Sequence, residues 1–308
     1  MKKGKKIIGI ISLVVLVFAI FKSQGISEDR DYNSSVEVHF IDVGQGDSIL
    51  VKSGEEFMLI DGGKNSAADT VVEYLKSQNV NKIKYVIGTH PHEDHIGGLD
   101  DVIDTFDIEK VIMPNITHNT KTFEDVLDSI MNKGLGITQA KSGDRYDLGD
   151  AEMTILAPNK EKYKDLNDYS VVVRLKYGNT SFMFTGDAEK ISEDEMIEVY
   201  GSSLKSDVLK LGHHGSTTST TKRFLELVDP QVAVITVGKD NTYGHPHREV
   251  LERVENAEIK IYRTDLDGTI VASSDGNTIE FGDGSVVSGV ADTFIQIIEK
   301  LIDFLDEN

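Results

Sequence analysis

Thr89-His90-Pro91-His92-Glu93-Asp94-His95 sets three imidazoles and a carboxylate of ligand type within seven residues. A turn can hardly hold His90, His92, Asp94 and His95 without their polar groups converging on one point. Such convergence is costly unless a cation is shared there. Imidazole and carboxylate without thiolate suit zinc, and iron or manganese less well. A polar surface loop would explain one histidine, but not the spacing His-x-His-x-Asp-His. The chain has no cysteine, so every ligand must be an imidazole or an oxygen donor.

The surrounding pattern places this cluster. Lys84–Gly88 reads as a short buried strand, and Ile96-Gly97-Gly98-Leu99 opens a helical pattern. The cluster then sits in a loop at a strand's carboxyl end, where open α/β architectures put their sites. Gly97 and Gly98 lack Cβ and let backbone approach that loop closely. Strands are expected at 36–43, 48–52, 56–60, 111–113, 153–156, 170–176, 181–184, 208–211, 232–237, 259–262, 268–272 and 277–281. Helical spacing marks 66–78, 121–132, 189–200, 218–228 and 247–256. Periodicity alone supports an α/β fold with several hairpins.

Further segments follow in a telling order: Leu59-Ile60-Asp61-Gly62-Gly63, Phe184-Thr185-Gly186-Asp187, and a late strand leading into His213-His214-Gly215-Ser216. Together with the His-x-His-x-Asp-His loop, they resemble the metallo-β-lactamase-fold hydrolases. His39–Asp47, the His213-His214 doublet and Tyr243-Gly244-His245-Pro246 narrow the resemblance to the hydrolase domain of bacterial competence DNA-internalisation proteins. It runs from about Val36 to Phe281. The resemblance implies an αββα sandwich, two mixed sheets face to face with helices outside. It implies two divalent metal ions, zinc in the first place and manganese as the alternative. His90 and His92 would hold one, Asp94, His95 and His213 the other, with Asp187 bridging both, so that Asp94 and Asp187 support catalysis by metal-activated water. Asp61 would orient a ligand histidine, or simply close a strand-end turn. Where most members have a further histidine before the bridging-Asp strand, this chain has Asn167-Asp168-Tyr169-Ser170. Asp168 or Asn167 would then donate an oxygen, or water would fill the position.

Two consecutive residues on an extended strand end point to opposite sides. The reading therefore gives His213 to the metal and leaves His214 to face the substrate or to support a ligand from behind. Ser216 and Thr217 open the next helix, where free N–H groups meet an anion or only cap. His245 is the candidate for contact with a substrate phosphate or for protonating a leaving group. His39 and His118 read as structural. Gly44-Gln45-Gly46-Asp47 reads as a tight hairpin near the site.

The amino end reads as a targeting segment. Met1–Lys6 carries four lysines, and Ile7–Phe21 is apolar apart from Gly9 and Ser12. Residues 1–22 are expected to be a signal peptide or membrane anchor, with residues 7–21 in the membrane if uncleaved. Residues 23–35 are a linker, 36–285 the hydrolase domain and 286–308 a carboxy-terminal amphipathic helix. The lysines stay inside, so the domain is expected outside the cell membrane, anchored or secreted. Residues 1–22 hold five lysines and no acids, so the −20 of the whole chain leaves −25 on the remainder. That charge argues against a broad grip on a nucleic-acid backbone, and no stable nucleic-acid complex is expected. It leaves a phosphate substrate open, because bound metals supply local positive charge. The expected activity is hydrolysis of a phosphodiester, DNA-like or a cell-envelope phosphoester. The alternatives are a phosphorylcholine or teichoic-acid esterase, and a non-catalytic binding module that keeps metals for stability.

Overall fold

The computed structural model describes residues Ser35–Gly289. The expected leader at 1–22, nearly all of the linker and residues 290–308 of the expected carboxy-terminal helix lie outside the described residues. Sixteen strands are described: β1 (Val36–Phe40), β2 (Ile49–Ser53), β3 (Glu56–Ile60), β4 (Lys82–Ile87), β5 (Asp107–Met113), β6 (Ile137–Gln139), β7 (Arg145–Leu148), β8 (Ala151–Ala157), β9 (Val172–Tyr177), β10 (Thr180–Phe184), β11 (Val208–Lys210), β12 (Val232–Ile235), β13 (Lys260–Arg263), β14 (Ile270–Ser274), β15 (Thr278–Phe281) and β16 (Val286–Ser288). They form a nine-stranded sheet, β16-β15-β14-β1-β2-β3-β4-β5-β6, and a seven-stranded sheet, β13-β12-β11-β10-β9-β8-β7.

Side chains on a strand alternate between faces, and that period builds four layers. On β3, Phe57 and Leu59 join the apolar cluster under helices Ala68–Ser77, Leu99–Thr105 and Lys121–Asn132, while Met58 and Ile60 are buried on the other face. On β10, Met183 packs under helices Lys190–Tyr200, Lys222–Val228 and Arg248–Glu255. Phe184 turns the other way and meets Phe40 of the first sheet, ring centroids 6.1 Å apart. Both sheets are therefore buried on two faces, and the helices lie outside, as the αββα expectation required. Among the described residues, no helix is long and apolar enough to cross a membrane.

Both sheets are mixed, and their parallel strands end on one rim. β3 and β4 run parallel in the first sheet; β10, β11 and β12 run parallel in the second. The segments after those strands carry Asp61, His90–His95, Asp187, His213-His214 and His245. Two expectations are corrected here. Residues 286–288, placed at the start of a terminal helix, instead pair with β15 as β16, because Val286 and Val287 complete the sheet edge. The helix expected from Thr218 begins at Lys222, where the Thr221 hydroxyl accepts the Phe224 N–H.

Candidate metal centre

The His90–His95 loop is held from below. Asp61, buried and at φ 59°, accepts the Thr89 N–H at 2.8 Å and the Thr89 hydroxyl at 2.6 Å. Its Oδ2 lies 2.8 Å from His95 Nδ1. A carboxylate on Nδ1 sets the tautomer and leaves Nε2 free to face outward. Asp61 thus backs the His95 ring from the side away from Asp187. The glycines after the loop permit close backbone approach: a Cβ on Gly97 would stand 2.3 Å from Asn65 N, and one on Gly98 2.5 Å from Gly62 O.

Asp187 stands at the centre, with a different histidine pair against each oxygen. Oδ1 lies 3.2 Å from His95 Nε2 and 3.6 Å from His214 Nε2. Oδ2 lies 3.9 Å from His90 Nε2 and 3.7 Å from His213 Nε2. His92 joins through Nδ1, 3.0 Å from His90 Nε2, and Asp94 Oδ2 lies 3.5 Å from His214 Nε2. Among the described residues, three groups have donor atoms close enough to share an ion: His90-His95-Asp187, Asp94-His95-His214 and Asp47-Asp61-His95.

The donor set fits divalent metal. His95 Nε2, His214 Nε2 and Asp187 Oδ1 are buried and lack a hydrogen-bond partner among the described residues. Although His95 Nε2 and Asp187 Oδ1 are close, their alignment makes no hydrogen bond. Buried polar atoms are normally satisfied. Three orphaned atoms facing one another mark a position for a cation.

The electrostatics are those of a site waiting for positive charge. Burial alone would push Asp187 up, but His95, His214 and His90 outweigh it and hold its carboxyl well below the usual range. Burial would push His95 down, yet Asp187 and Asp61 on either side hold its pKa well above the ordinary imidazole value. Burial and the neighbouring His95 keep His90 well below that value, so the ring is neutral and its lone pairs are available.

Four expectations change. His213 and His214 both enter the site, because Gly212–Gly215 is a tight turn with φ 50° and 54° at the two histidines, not an extended strand end. His214, expected to face the substrate or to support a ligand from behind, is the one that joins Asp94 and His95; its Nδ1 is fixed 2.8 Å from Thr236 O. Asp168 points elsewhere, accepting the Ser192 N–H inside helix Lys190–Tyr200. Ser216 is buried, with its hydroxyl on Thr218 Oγ1 at 2.9 Å, and it steadies the turn rather than lining the cavity.

A cavity of about 320 Å³ opens over these groups, edged by Gln45, Lys64, Tyr243 and His245. The His245 pKa is pushed down to about 4, by burial and then by His213, His214 and His247. The ring is neutral at pH 7. It can hydrogen-bond a substrate oxygen but is no proton reservoir for a leaving group.

Two residues were missed in the sequence reading. Lys210 is fully buried, with Nζ 2.5 Å from Asp47 Oδ2, 2.8 Å from Gly186 O and 3.9 Å from Asp187 Oδ1. Asp47 also accepts the Thr236 hydroxyl and lies 3.5 Å from His214 Nδ1. The available signal was a lysine inside the apolar run Val208-Leu209-Lys210-Leu211, since a buried cation must have a partner.

The profile of the metallo-beta-lactamase superfamily matches residues 41–239, a range holding all of these groups except Tyr243 and His245. The chain belongs to that superfamily. It is 31% identical over 256 residues to ComE operon protein 3 of Bacillus subtilis, covering 77% of this chain and 33% of that protein. It is 30% identical to competence protein ComA of Neisseria gonorrhoeae, covering 84% of this chain and 34% of the relative. The chain thus spans about a third of the length of these curated relatives. Among solved structures, the metallo-beta-lactamase fold protein YhfI of Bacillus subtilis aligns at TM-score 0.52 and 11% identity, covering 79% of this chain and 100% of that one. CmlA, a diiron beta-hydroxylase of Streptomyces venezuelae, aligns at 0.51 and 14%, covering 80% and 55%. At these identities the likeness concerns the fold alone.

Proposed function

We propose that this chain is a dinuclear metal-dependent hydrolase of phosphodiesters, working outside the membrane on a DNA-like or cell-envelope phosphoester. The observation that carries the reading is Asp187, whose two oxygens face two separate sets of imidazoles. His90 and His92 would hold one cation and Asp94, His95 and His214 the other, with Asp187 between them. Two divalent ions so held supply metal-activated water and positive charge for substrate oxygens. The chain's own groups do the rest. Asp61 and Thr236 O fix the rings of His95 and His214. Lys210 sets a cation against Asp47 and Asp187. Neutral His245 offers a hydrogen bond at the cavity edge, and Lys64 brings a cationic side chain to the cavity lining.

A cavity of about 320 Å³ is at the small end of ligand pockets. Being open, it takes a phosphate group and leaves the flanking groups of the ester outside. That shape favours a phosphodiester over a substrate needing full enclosure. The test is hydrolysis of bis-p-nitrophenyl phosphate and of single-stranded DNA by the full chain with added zinc or manganese. Turnover should stop with chelator and fall at least 100-fold in His92→Ala. A protein that binds metal and stays inert on every phosphodiester offered would be a metal-stabilised binding module instead.

A further inference from the structure

The His90–His92 arm of the metal pair has only two imidazoles assigned to it. The Asn167-Asp168-Tyr169-Ser170 segment brings no imidazole to the His90–His92 side, and Asp168 is engaged at Ser192. What stands on that side is His213. Its Nε2 and that of His90 approach the same Asp187 oxygen, at 3.7 Å and 3.9 Å. The paired left-handed residues explain how adjacent histidines serve opposite oxygens: their rings stand 6.1 Å apart at 70°.

The other side of the His213 ring is anchored. Nδ1 lies 3.1 Å from Glu189 Oε1. That oxygen also takes the Thr218 hydroxyl at 2.8 Å and the Asn167 amide N–H at 3.2 Å. A carboxylate fixed by two other donors and set on Nδ1 is the arrangement that aims a ligand histidine through Nε2. Asn167, in the segment where most members of the family carry a histidine, braces Glu189 and also lies 3.4 Å from His213 Nδ1 through its amide nitrogen.

We infer that His213, aimed by Glu189, is the third imidazole of the His90–His92 metal position. This rests on the metal-pair reading above and completes it. The position then needs no histidine from residues 167–170, and the doublet feeds both cations, His213 one and His214 the other. Glu189 is a positioning residue for this arm.

The full chain, stripped of metal, is titrated with zinc by calorimetry, and retained metal is counted by mass spectrometry after desalting. Wild type should retain two ions and His213→Ala one, with unchanged circular dichroism. Glu189→Gln should retain both, with one of the two affinities weakened about 10–100-fold, and Asn167→Ala should retain both. Two ions at wild-type affinities in His213→Ala overturn the inference and leave the metal pair standing. Loss of an ion in Asn167→Ala but not in His213→Ala overturns it likewise, and so does a folded His213→Ala protein that binds none. A wild type that binds no metal overturns both readings. If His213→Ala fails to fold, Glu189→Gln decides, and two unchanged affinities there refute the assignment.

Discussion

At the scale of single residues, the chemistry depends on which atom of each ring is left free. Asp61 illustrates this: it touches no substrate, yet its Oδ2 on His95 Nδ1 turns Nε2 toward Asp187. Replacing it with Asn keeps the shape and puts an amide where the carboxylate stood. Asp61→Asn should weaken zinc about 10–100-fold at the His95 position, with the fold retained, as read by competition with a chelating dye. Unchanged affinity would reduce Asp61 to a turn residue. The His-x-His-x-Asp-His loop was legible because ligand-type residues at that spacing have few other uses. The order of His213 and His214 was not, because it depends on two left-handed backbone residues that no local rule requires of histidine.

At the scale of elements, strong periodicity translated directly. Helix Lys121–Asn132 and strand Glu56–Ile60 have the expected bounds; the helix carries Phe123, Val126 and Ile130 on its buried face and a Thr120 cap. The strands missed, β6, β7 and β16, are all sheet edges. Short edge strands are largely exposed, so they bury too little to leave a period in the sequence. One contact between elements has a measurable pH signature. Glu193, on helix Lys190–Tyr200, is buried and accepts the Thr220 and Thr221 N–H groups at the turn before the next helix. Burial raises its pKa from 4.5 to about 7. The folded state thus holds this proton more tightly than the unfolded chain. Its contribution is full below pH 4.5 and is lost as pH rises through 7. Glu193→Gln cannot ionise, so between pH 5 and pH 8 its stability should gain on wild type by about 2 kcal/mol. Denaturant unfolding at the two pH values reads the difference; parallel curves would show that Glu193 does not titrate there.

At the scale of the whole molecule, the metal groups join the two sheets. His90, His92, Asp94 and His95 follow β4 of the first sheet, while Asp187, His213 and His214 follow β10 and β11 of the second. Cations bound only by the assembled pocket must stabilise the folded state by linkage. With free zinc at 100 times its Kd, unfolding should cost about 2.7 kcal/mol more than in excess chelator, seen as a rise in Tm. Equal midpoints would mean that the groups do not share a metal. The contact between the sheets is apolar. Phe40, fully buried against Phe184, should lose about 3–5 kcal/mol on replacement by Ala, with metal stoichiometry unchanged in whatever fraction stays folded at low temperature.

By itself, the amino-acid sequence determined that this chain is α/β, that His90, His92, Asp94 and His95 have the types and spacing of a metal-ligating loop, and that the chain holds no thiolate. Those facts rest on residue type and on periods of 2 and 3.6, which are local. Tertiary structure alone decided which histidine faces which Asp187 oxygen, that Lys210 lies buried beside Asp47, and that His245 is neutral. Each of these depends on burial and on charges brought close from remote parts of the chain. Neither has any counterpart in sequence spacing.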